Sequence, residues 1–198
     1  MAENLQEDRP RLSVSDFRDF IETRPGEEHW ELIDGTAMMM APATKAHQRI
    51  ASNLERLLND ALERHKPALV AYQRVGLNLA PVTQYYDPEP DVVVVDADDA
   101  GDERYSSRFY LAAEVVSSSD RKRTLAKRRI YKLHDACTCV LTIRQDRCEV
   151  RIDLRSDSGW SETILQKPND ALVLSDFGLR CKLADIYRGT PIGKRRRA

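Results

Sequence analysis

Three residues in the middle of the chain have types and positions that suit one kind of chemistry. Asp91 directly precedes a β-branched run at residues 92–95, so it lies at the mouth of a buried strand. Glu114 lies inside a second apolar run, where an isolated charge is costly and needs a metal ion, a lysine or an arginine as its partner. Lys127 follows in a predicted helix, at the border of the buried face, where its ammonium can reach the end of the sheet while its stem packs.

An aspartate and a glutamate on adjacent strands, with a lysine nearby, are the groups that metal-assisted phosphodiester hydrolysis requires. Carboxylate oxygens suit Mg²⁺, which binds proteins through one or two carboxylates and several waters. The metal lowers the pKa of a bound water and neutralises phosphate charge, while the lysine stabilises or helps to deprotonate the nucleophile. The alternative is structural: Asp91 is then a turn or cap residue, and Glu114 forms a buried ion pair with Lys127.

The charges around these residues are unevenly distributed. Eight acids lie between residues 87 and 103, and seven bases lie between residues 121 and 132. The 198-residue chain carries 31 Lys and Arg against 32 Asp and Glu, which argues against a protein that coats nucleic acid by bulk charge. The two charged segments indicate either phosphate and metal bound side by side or two solvated faces. The bases that flank the predicted metal are the candidate phosphate contacts, namely Arg121, Lys122, Arg123 and Arg128.

Composition and cysteine placement narrow the class of protein. Hydrophobic residues make up 41% of the chain, which is typical of a globular domain and too high for a disordered chain. No run is long and apolar enough for a transmembrane helix, and the N-terminus lacks the core of a signal peptide. We therefore expect a cytoplasmic protein with reduced thiols and no membrane contact. Cys137, Cys139 and Cys148 with His134 match no common zinc spacing, which favours core packing over a zinc site.

Hydrophobic periodicity predicts the elements that position these residues. Residues 13–22 predict a short helix, and Asp34-Gly35 predicts a tight turn between two apolar hairpin arms. A clean apolar stripe predicts a helix over about 45–66, capped by Thr44. Further strands are predicted over 72–80, 91–95, 110–117, 138–144, 148–155 and near 171–174.

A second long helix and a short final one complete the predicted elements. Residues 120–135 predict a helix that turns Ala126, Ile130 and Leu133 inward, and residues 183–187 predict a helical turn. This order of elements indicates a mixed α/β layer fold. We expect one domain over residues 12–190, with flexible tails at 1–11 and 191–198.

Six segments, taken together and in this order, form a specific pattern: WELIDG at 30–35, MMAP at 39–42, AHQRI at 46–50, EPDVVVV at 89–95, AEVVS at 113–117, and Lys127 with Tyr131. In this pattern the chain resembles the family often called Uma-two, a branch of the PD-(D/E)XK nuclease superfamily. The resemblance runs from about residue 17 to residue 183.

The resemblance implies a restriction-endonuclease-like fold, an α/β (α+β) architecture in which helices flank a mixed central sheet after an N-terminal helix and β-hairpin. It also implies cleavage of DNA with Mg²⁺, for which Mn²⁺ can substitute. Asp91 and Glu114 match the metal-ligand positions, with the backbone carbonyl of Val115 as a third ligand. Glu31, His47 and Tyr131 are expected to line the same pocket. For His47 a core position, for Glu31 a pairing within the hairpin and for Tyr131 packing against the sheet remain open.

One departure from the superfamily pattern bears on the lysine. The usual E-x-K motif would place a lysine at position 116, where this chain has Val116. The family resembled commonly moves that lysine to the following helix, which Lys127 fits at about one residue less than the usual spacing. Arg123 and Lys122 are the alternatives.

The absence of a lysine at position 116 leaves a rival function open, a catalytically inactive nuclease-fold protein that binds nucleic acid or a partner. A homodimer is a further expectation, because cutting both strands commonly uses two sites.

Overall fold

The structure is a computed structural model, which describes residues 11–80, 82–98, 104–117 and 121–193, without the side chains of residues 121 and 122. The predicted tails therefore lie mostly outside the described residues. In chain order, the helices are α1 (Val14–Glu22), α2 (Lys45–His65), α3 (Arg121–Tyr131) and α4 (Leu183–Ile186). The strands are β1 (Trp30–Ile33), β2 (Thr36–Met39), β3 (Leu69–Tyr72), β4 (Gly76–Leu77), β5 (Val92–Asp96), β6 (Tyr105–Ser106), β7 (Phe109–Val116), β8 (Cys139–Arg144), β9 (Val150–Ser156), β10 (Gly159–Leu165), β11 (Ala171–Leu174) and β12 (Leu179–Lys182).

A six-stranded sheet in the order β10-β9-β8-β7-β5-β3 lies at the centre of the fold. Strands β7 and β8 are parallel, and the other neighbouring strands in this sheet are antiparallel. A parallel pair needs a crossover connection, and α3 lies on the chain between these two strands. The topology thus brings α3 against one face of the sheet, beside β7 and β8.

The two faces of the sheet bury two separate cores. On one face, α2 packs with residues from β11, β12 and α4 against alternate residues of the central strands. On the other face, Ile130 and Tyr131 of α3 pack against a second set that includes Val93 and Ala112. Strands covered on both faces need continuous apolar runs, and residues 92–95 of β5 meet that requirement. The predicted mixed α/β fold, with helices flanking a mixed central sheet, is confirmed.

The N-terminal hairpin forms at the predicted turn. Asp34 and Gly35 both adopt positive φ angles, 52° and 74°, as a two-residue turn between twisted strands requires. A side chain at Gly35 would also clash, because a Cβ there would lie 2.5 Å from Cβ of Arg11. Leu32 of β1 forms a bridge with Asp87, which ties the hairpin to the segment that leads into β5. The hairpin is thereby held beside the start of that strand.

Two predictions of local structure are wrong, and strand β10 was not predicted. The single strand predicted over 72–80 is divided, because Arg74 has a left-handed φ of 59° that interrupts extended backbone between β3 and β4. The helix predicted over 120–135 ends at Tyr131, and Leu133 is 61% exposed rather than inward. Strand β10 carried no predictive signal because nearly all its residues are exposed, so apolar alternation is absent.

No helix of the described segments is long and apolar enough to cross a bilayer.

A buried carboxylate fixes α3 on the sheet. Asp153 of β9 is fully buried and accepts hydrogen bonds from Arg128 and Lys132, one turn apart on and just beyond α3. Arg128 also pairs with Glu162, which faces Asp153 across β9 and β10. Burial alone would raise the pKa of Asp153, but its hydrogen bonds and ion pairs with Arg128 and Lys132 outweigh burial and lower it.

We expect Asp153→Asn to lower the free energy of unfolding by about 3 kcal/mol at pH 7, because two cations lose a buried partner. Since the folded-state pKa of Asp153 is lowered, its contribution is present above the unfolded pKa and is lost as pH falls through the folded pKa. The difference between wild type and variant in urea unfolding should therefore be constant at pH 5–7 and shrink below about pH 4. Asp157→Asn, an exposed control in the β9–β10 turn, should change stability by less than about 0.5 kcal/mol. An Asp153→Asn variant as stable as wild type at pH 7 would contradict this role.

Candidate active site

The register of two central strands brings Asp91 and Glu114 together. Asp91 immediately precedes β5, and Val92 lies opposite Ala113 of the antiparallel β7. The next positions outward are Asp91 and Glu114, which therefore face each other on the same side of the sheet. The backbone amide of Val115 donates to Oδ2 of Asp91 at 2.7 Å, which fixes the aspartate against the end of β7.

Two donors from a single helix face hold Glu114. Nζ of Lys127 lies 2.8 Å from Oε1 of Glu114, and the hydroxyl of Tyr131 donates to the same oxygen at 2.7 Å. Lys127 and Tyr131 are four residues apart on α3, so both project toward the sheet from adjacent turns. Glu114 is only 7% exposed, and its other oxygen, Oε2, has no partner among the described residues.

Glu31 reaches the same point from the N-terminal hairpin. Nζ of Lys127 donates to Oε1 of Glu31 at 2.7 Å, and the amide of Glu89 donates to that oxygen at 3.0 Å. Glu31 and Lys127 are each 2% exposed. Oε2 of Glu31 is buried with no hydrogen-bond partner among the described residues. The structure thus pairs Glu31 with a lysine 96 positions away rather than with a neighbour in its own hairpin.

His47 approaches the pocket from α2. Thr44 caps this helix, and its hydroxyl accepts a hydrogen bond from the amide of His47 at 3.1 Å. The first turn of the helix thus brings His47 to Asp91, which precedes β5. Nε2 of His47 lies 3.1 Å from Oδ2 of Asp91. Burial alone would lower the pKa of His47, but the hydrogen bond and charge of Asp91, together with the charge of Glu114, outweigh it and raise that pKa. His47 therefore belongs to the pocket as well as to the apolar stripe of its helix.

Burial and mutual charge perturb the ionisable groups of the cluster. Burial raises the pKa of Glu114 to about 7, against the opposing attraction of Lys127. Burial works to lower the pKa of Lys127, but the three carboxylates of Glu114, Glu31 and Asp91 together raise it. Burial and the nearby acids also raise the pKa of Tyr131, so its hydroxyl remains a donor. Groups with pKa values displaced by burial and specific charges are typical of functional sites.

The lysine is delivered by α3 and not by β7. Val116, two residues beyond Glu114 on the same strand face, is buried and brings no charge. Lys127 instead places its ammonium against Glu114 from the crossover helix. This geometry is what the predicted displacement of the lysine from strand to helix requires. Its catalytic role stays a prediction.

The predicted phosphate contacts have different surroundings. Arg128 is engaged with Asp153 and Glu162, so a phosphate would have to compete with two carboxylates. Arg123 lies half-buried on α3. The side chains of Arg121 and Lys122 lie outside the described residues. The phosphate-binding roles of all four bases stay predictions.

Thr142 is a further polar residue beside Glu114. This residue lies on β8 directly beside Glu114 in the parallel register of β7 and β8. Its hydroxyl oxygen is buried and has no hydrogen-bond partner among the described residues. No local signal marks it, because a threonine within the run from Cys139 to Arg144 has the β propensity expected of any strand.

The donor set of the pocket fits a hard divalent cation. Oδ1 of Asp91, Oε2 of Glu114 and the buried Oε2 of Glu31 are carboxylate oxygens with no hydrogen-bond partner among the described residues. Such oxygens are the ligands that Mg²⁺ and Mn²⁺ prefer. In the described segments, no three His, Cys, Asp or Glu side chains form a group that could hold a metal ion. The structure records no contact of the Val115 carbonyl with these acids, so its role as a ligand stays a prediction.

Comparisons with known proteins identify a family by its sequence model and a similar fold by a solved structure. The model of the Uma2 family, described as "Putative restriction endonuclease", matches residues 14–184. The chain is also similar to a crystal structure from Anabaena variabilis, described as a putative nuclease belonging to DUF820. The TM-score is 0.70 and the identity 14%, over 89% of this chain and 97% of that chain. At this identity the likeness shows the fold alone. No curated protein matches this chain.

We expect Lys127→Met to destabilise the metal-free protein by about 3–5 kcal/mol, because two buried carboxylates lose their shared cation. Urea unfolding at pH 7 measures the change. Adding Glu114→Gln in the Lys127→Met background should recover part of the loss, since one uncompensated charge is removed. Arg129→Met, an exposed change on the same helix, is the control and should alter stability by less than about 0.5 kcal/mol. A Lys127→Met variant as stable as this control would contradict the buried ion-pair geometry.

Proposed function

The chain belongs to the Uma2 family of putative restriction endonucleases, and from this premise we propose that it is an endonuclease that hydrolyses DNA phosphodiester bonds with Mg²⁺. The family supports a nuclease, and the finer assignment rests on the pocket. One observation carries it: Asp91 and Glu114 lie opposite each other with unclaimed carboxylate oxygens, beside the buried ammonium of Lys127. A carboxylate pair next to a fixed cation is the arrangement that phosphodiester hydrolysis needs.

Each residue of the pocket has a distinct part in this proposal. Asp91 and Glu114 would hold the metal, and Glu31 would line the pocket with its Oε1 bound to Lys127. When bound, the metal would activate a water and neutralise charge on the scissile phosphate. Tyr131 and Lys127 occupy Oε1 of Glu114, so they orient its free oxygen.

Lys127 and His47 would act on charge and protons around the phosphate. The ammonium of Lys127 is fixed by two carboxylates and needs no reorganisation to stabilise negative charge that develops on the phosphate. Nε2 of His47, held against Asp91, keeps that carboxylate in place and lies where it can exchange a proton with a pocket water.

We expect the wild-type protein to nick supercoiled plasmid DNA in about 5 mM Mg²⁺ or Mn²⁺, a concentration suited to a weak carboxylate site. Asp91→Ala should lower the nicking rate at least about a hundredfold, because it removes a metal ligand. Asp98→Ala, at an exposed position beyond the far end of β5, is the matched control and should nick at the wild-type rate. Equal rates for wild type and Asp91→Ala would refute the proposed site.

One observation favours a second function, a non-catalytic nuclease fold that binds nucleic acid or a partner. Lys127 closes a buried ion pair with both Glu114 and Glu31, and this arrangement satisfies a structural role without metal. Val116 also occupies the position where the superfamily motif has its lysine. The two functions differ in what a divalent cation does to the protein.

We expect calorimetry to detect Mn²⁺ binding to the wild type and a metal-induced rise in its melting temperature, because the metal binds the folded state alone. Both effects should be lost in Asp91→Asn. Glu114→Gln should also lose the metal response, whereas a purely structural ion pair predicts that this variant loses stability and that metal never changes melting. Asp98→Asn serves as the control. Wild-type melting that is insensitive to Mn²⁺ would favour the non-catalytic function.

A further inference from the structure

Arg144 is a buried cation beside the candidate active site. The proposed chemistry gives it no role. It is the last residue of β8 and lies opposite Val116 in the parallel register of β7 and β8. It is two positions beyond Thr142, so it shares the sheet face that carries Glu114 and Val116. Arg144 is only 9% exposed, which is unusual for an arginine and indicates a fixed position.

The register places the backbone of Arg144 at the end of β7 that carries Glu114. Val116 and Arg144 lie on adjacent strands, about 4.8 Å apart, and Glu114 is two residues back along β7, about 7 Å. The guanidinium itself contacts the carbonyl of Ser117, three residues beyond Glu114 along the chain. The position at which the superfamily motif would carry a lysine is apolar in this chain, and its immediate cross-strand neighbour carries a charge.

The guanidinium of Arg144 binds two partners, a backbone carbonyl on one side and the carboxylate of Asp146 on the other. Nη1 donates to the carbonyl oxygen of Ser117 at 3.2 Å, which anchors the group to the end of β7. Nε and Nη2 donate to the two carboxylate oxygens of Asp146, at 3.0 and 2.8 Å. The side chain of Asp146 is 42% exposed and lies in the turn between β8 and β9. The pKa of Asp146 is lowered by its hydrogen bonds from Arg144.

We propose that Arg144 binds a phosphate of the substrate strand next to the scissile one, and that Asp146 occupies its guanidinium when no substrate is bound. The two guanidinium nitrogens that hold the carboxylate through parallel hydrogen bonds have a geometry that also suits the two free oxygens of a phosphodiester. Asp146 is 42% exposed, so a phosphate of the substrate can compete with it for the guanidinium. The ligand is the phosphate backbone of DNA, and the inference rests on the proposed nuclease function.

The neighbouring ion pair supplies a matched control. Arg147 lies three positions further on in the same turn and donates to Glu149 through two hydrogen bonds, at 2.9 and 3.1 Å. The side chain of Arg147 is 55% exposed and is not anchored to β7. Removing its charge changes the net charge of the turn in the same way, without touching the pocket mouth.

The test measures binding of a fluorescent DNA duplex in EDTA, by anisotropy over a range of salt concentrations, so that no cleavage is needed. We expect Arg144→Gln to weaken binding at least about tenfold and to reduce the slope of log K against log[salt] by about 0.9, the value for one phosphate contact. Arg144→Lys should recover the slope but only part of the affinity, because the lysine ammonium keeps the charge but cannot form the two parallel hydrogen bonds of a guanidinium. Arg147→Gln should bind as the wild type does.

Asp146→Asn tests the same contact from the other side. Removing the competing carboxylate should tighten DNA binding several-fold, but not when Arg144→Gln is also present, because competition for Arg144 couples the two changes and a general charge effect does not. Unchanged binding in both Arg144→Gln and Asp146→Asn, with melting temperatures near that of the wild type, would overturn the inference even if the plasmid is nicked. A binding loss in Arg144→Gln without any nicking by the wild type would leave the inference standing and refute the proposed catalysis. A wild type that binds no DNA would overturn both.

Discussion

The ammonium of Lys127, buried between the carboxylates of Glu31 and Glu114, is the interaction on which the rest of the pocket depends. Without it, two acids with almost no exposure would repel each other in surroundings that solvate charge poorly. With it, three distant segments of the chain meet at one nitrogen: the N-terminal hairpin, the central strand β7 and the crossover helix α3. The pocket and the fold are therefore stabilised by the same contact.

That contact in turn depends on the parallel pair at the centre of the sheet. Because β7 and β8 run in the same direction, the chain must cross over the sheet between them, and α3 is part of that crossover. Asp153 then holds α3 from the β9 side through Arg128 and Lys132. The charged groups of α3 thus have two separate tasks: Lys127 faces the pocket, while Arg128 keeps the helix on the sheet.

Much of the fold could be predicted because its signals are local. The hairpin turn at Asp34-Gly35 and the cap at Thr44 depend on residues a few positions apart. The failures also have a local cause. A single left-handed residue, Arg74, divides a run that reads as one strand, and the exposed β10 has no apolar alternation to detect. Leu133 was expected inward because helical periodicity was extended beyond the true end of α3 at Tyr131.

By itself the sequence determined that Asp91 stands at the mouth of a buried strand and that Glu114 is a charge inside another, because both facts follow from their immediate neighbours. Only the tertiary structure decided their partners. Lys127 and Glu31 are 96 positions apart, and Arg144 meets the end of β7 through strand register alone. The partner of a buried charge depends on which strands pair and in which register. That register is set by the packing of both faces of the whole sheet and not by any local pattern.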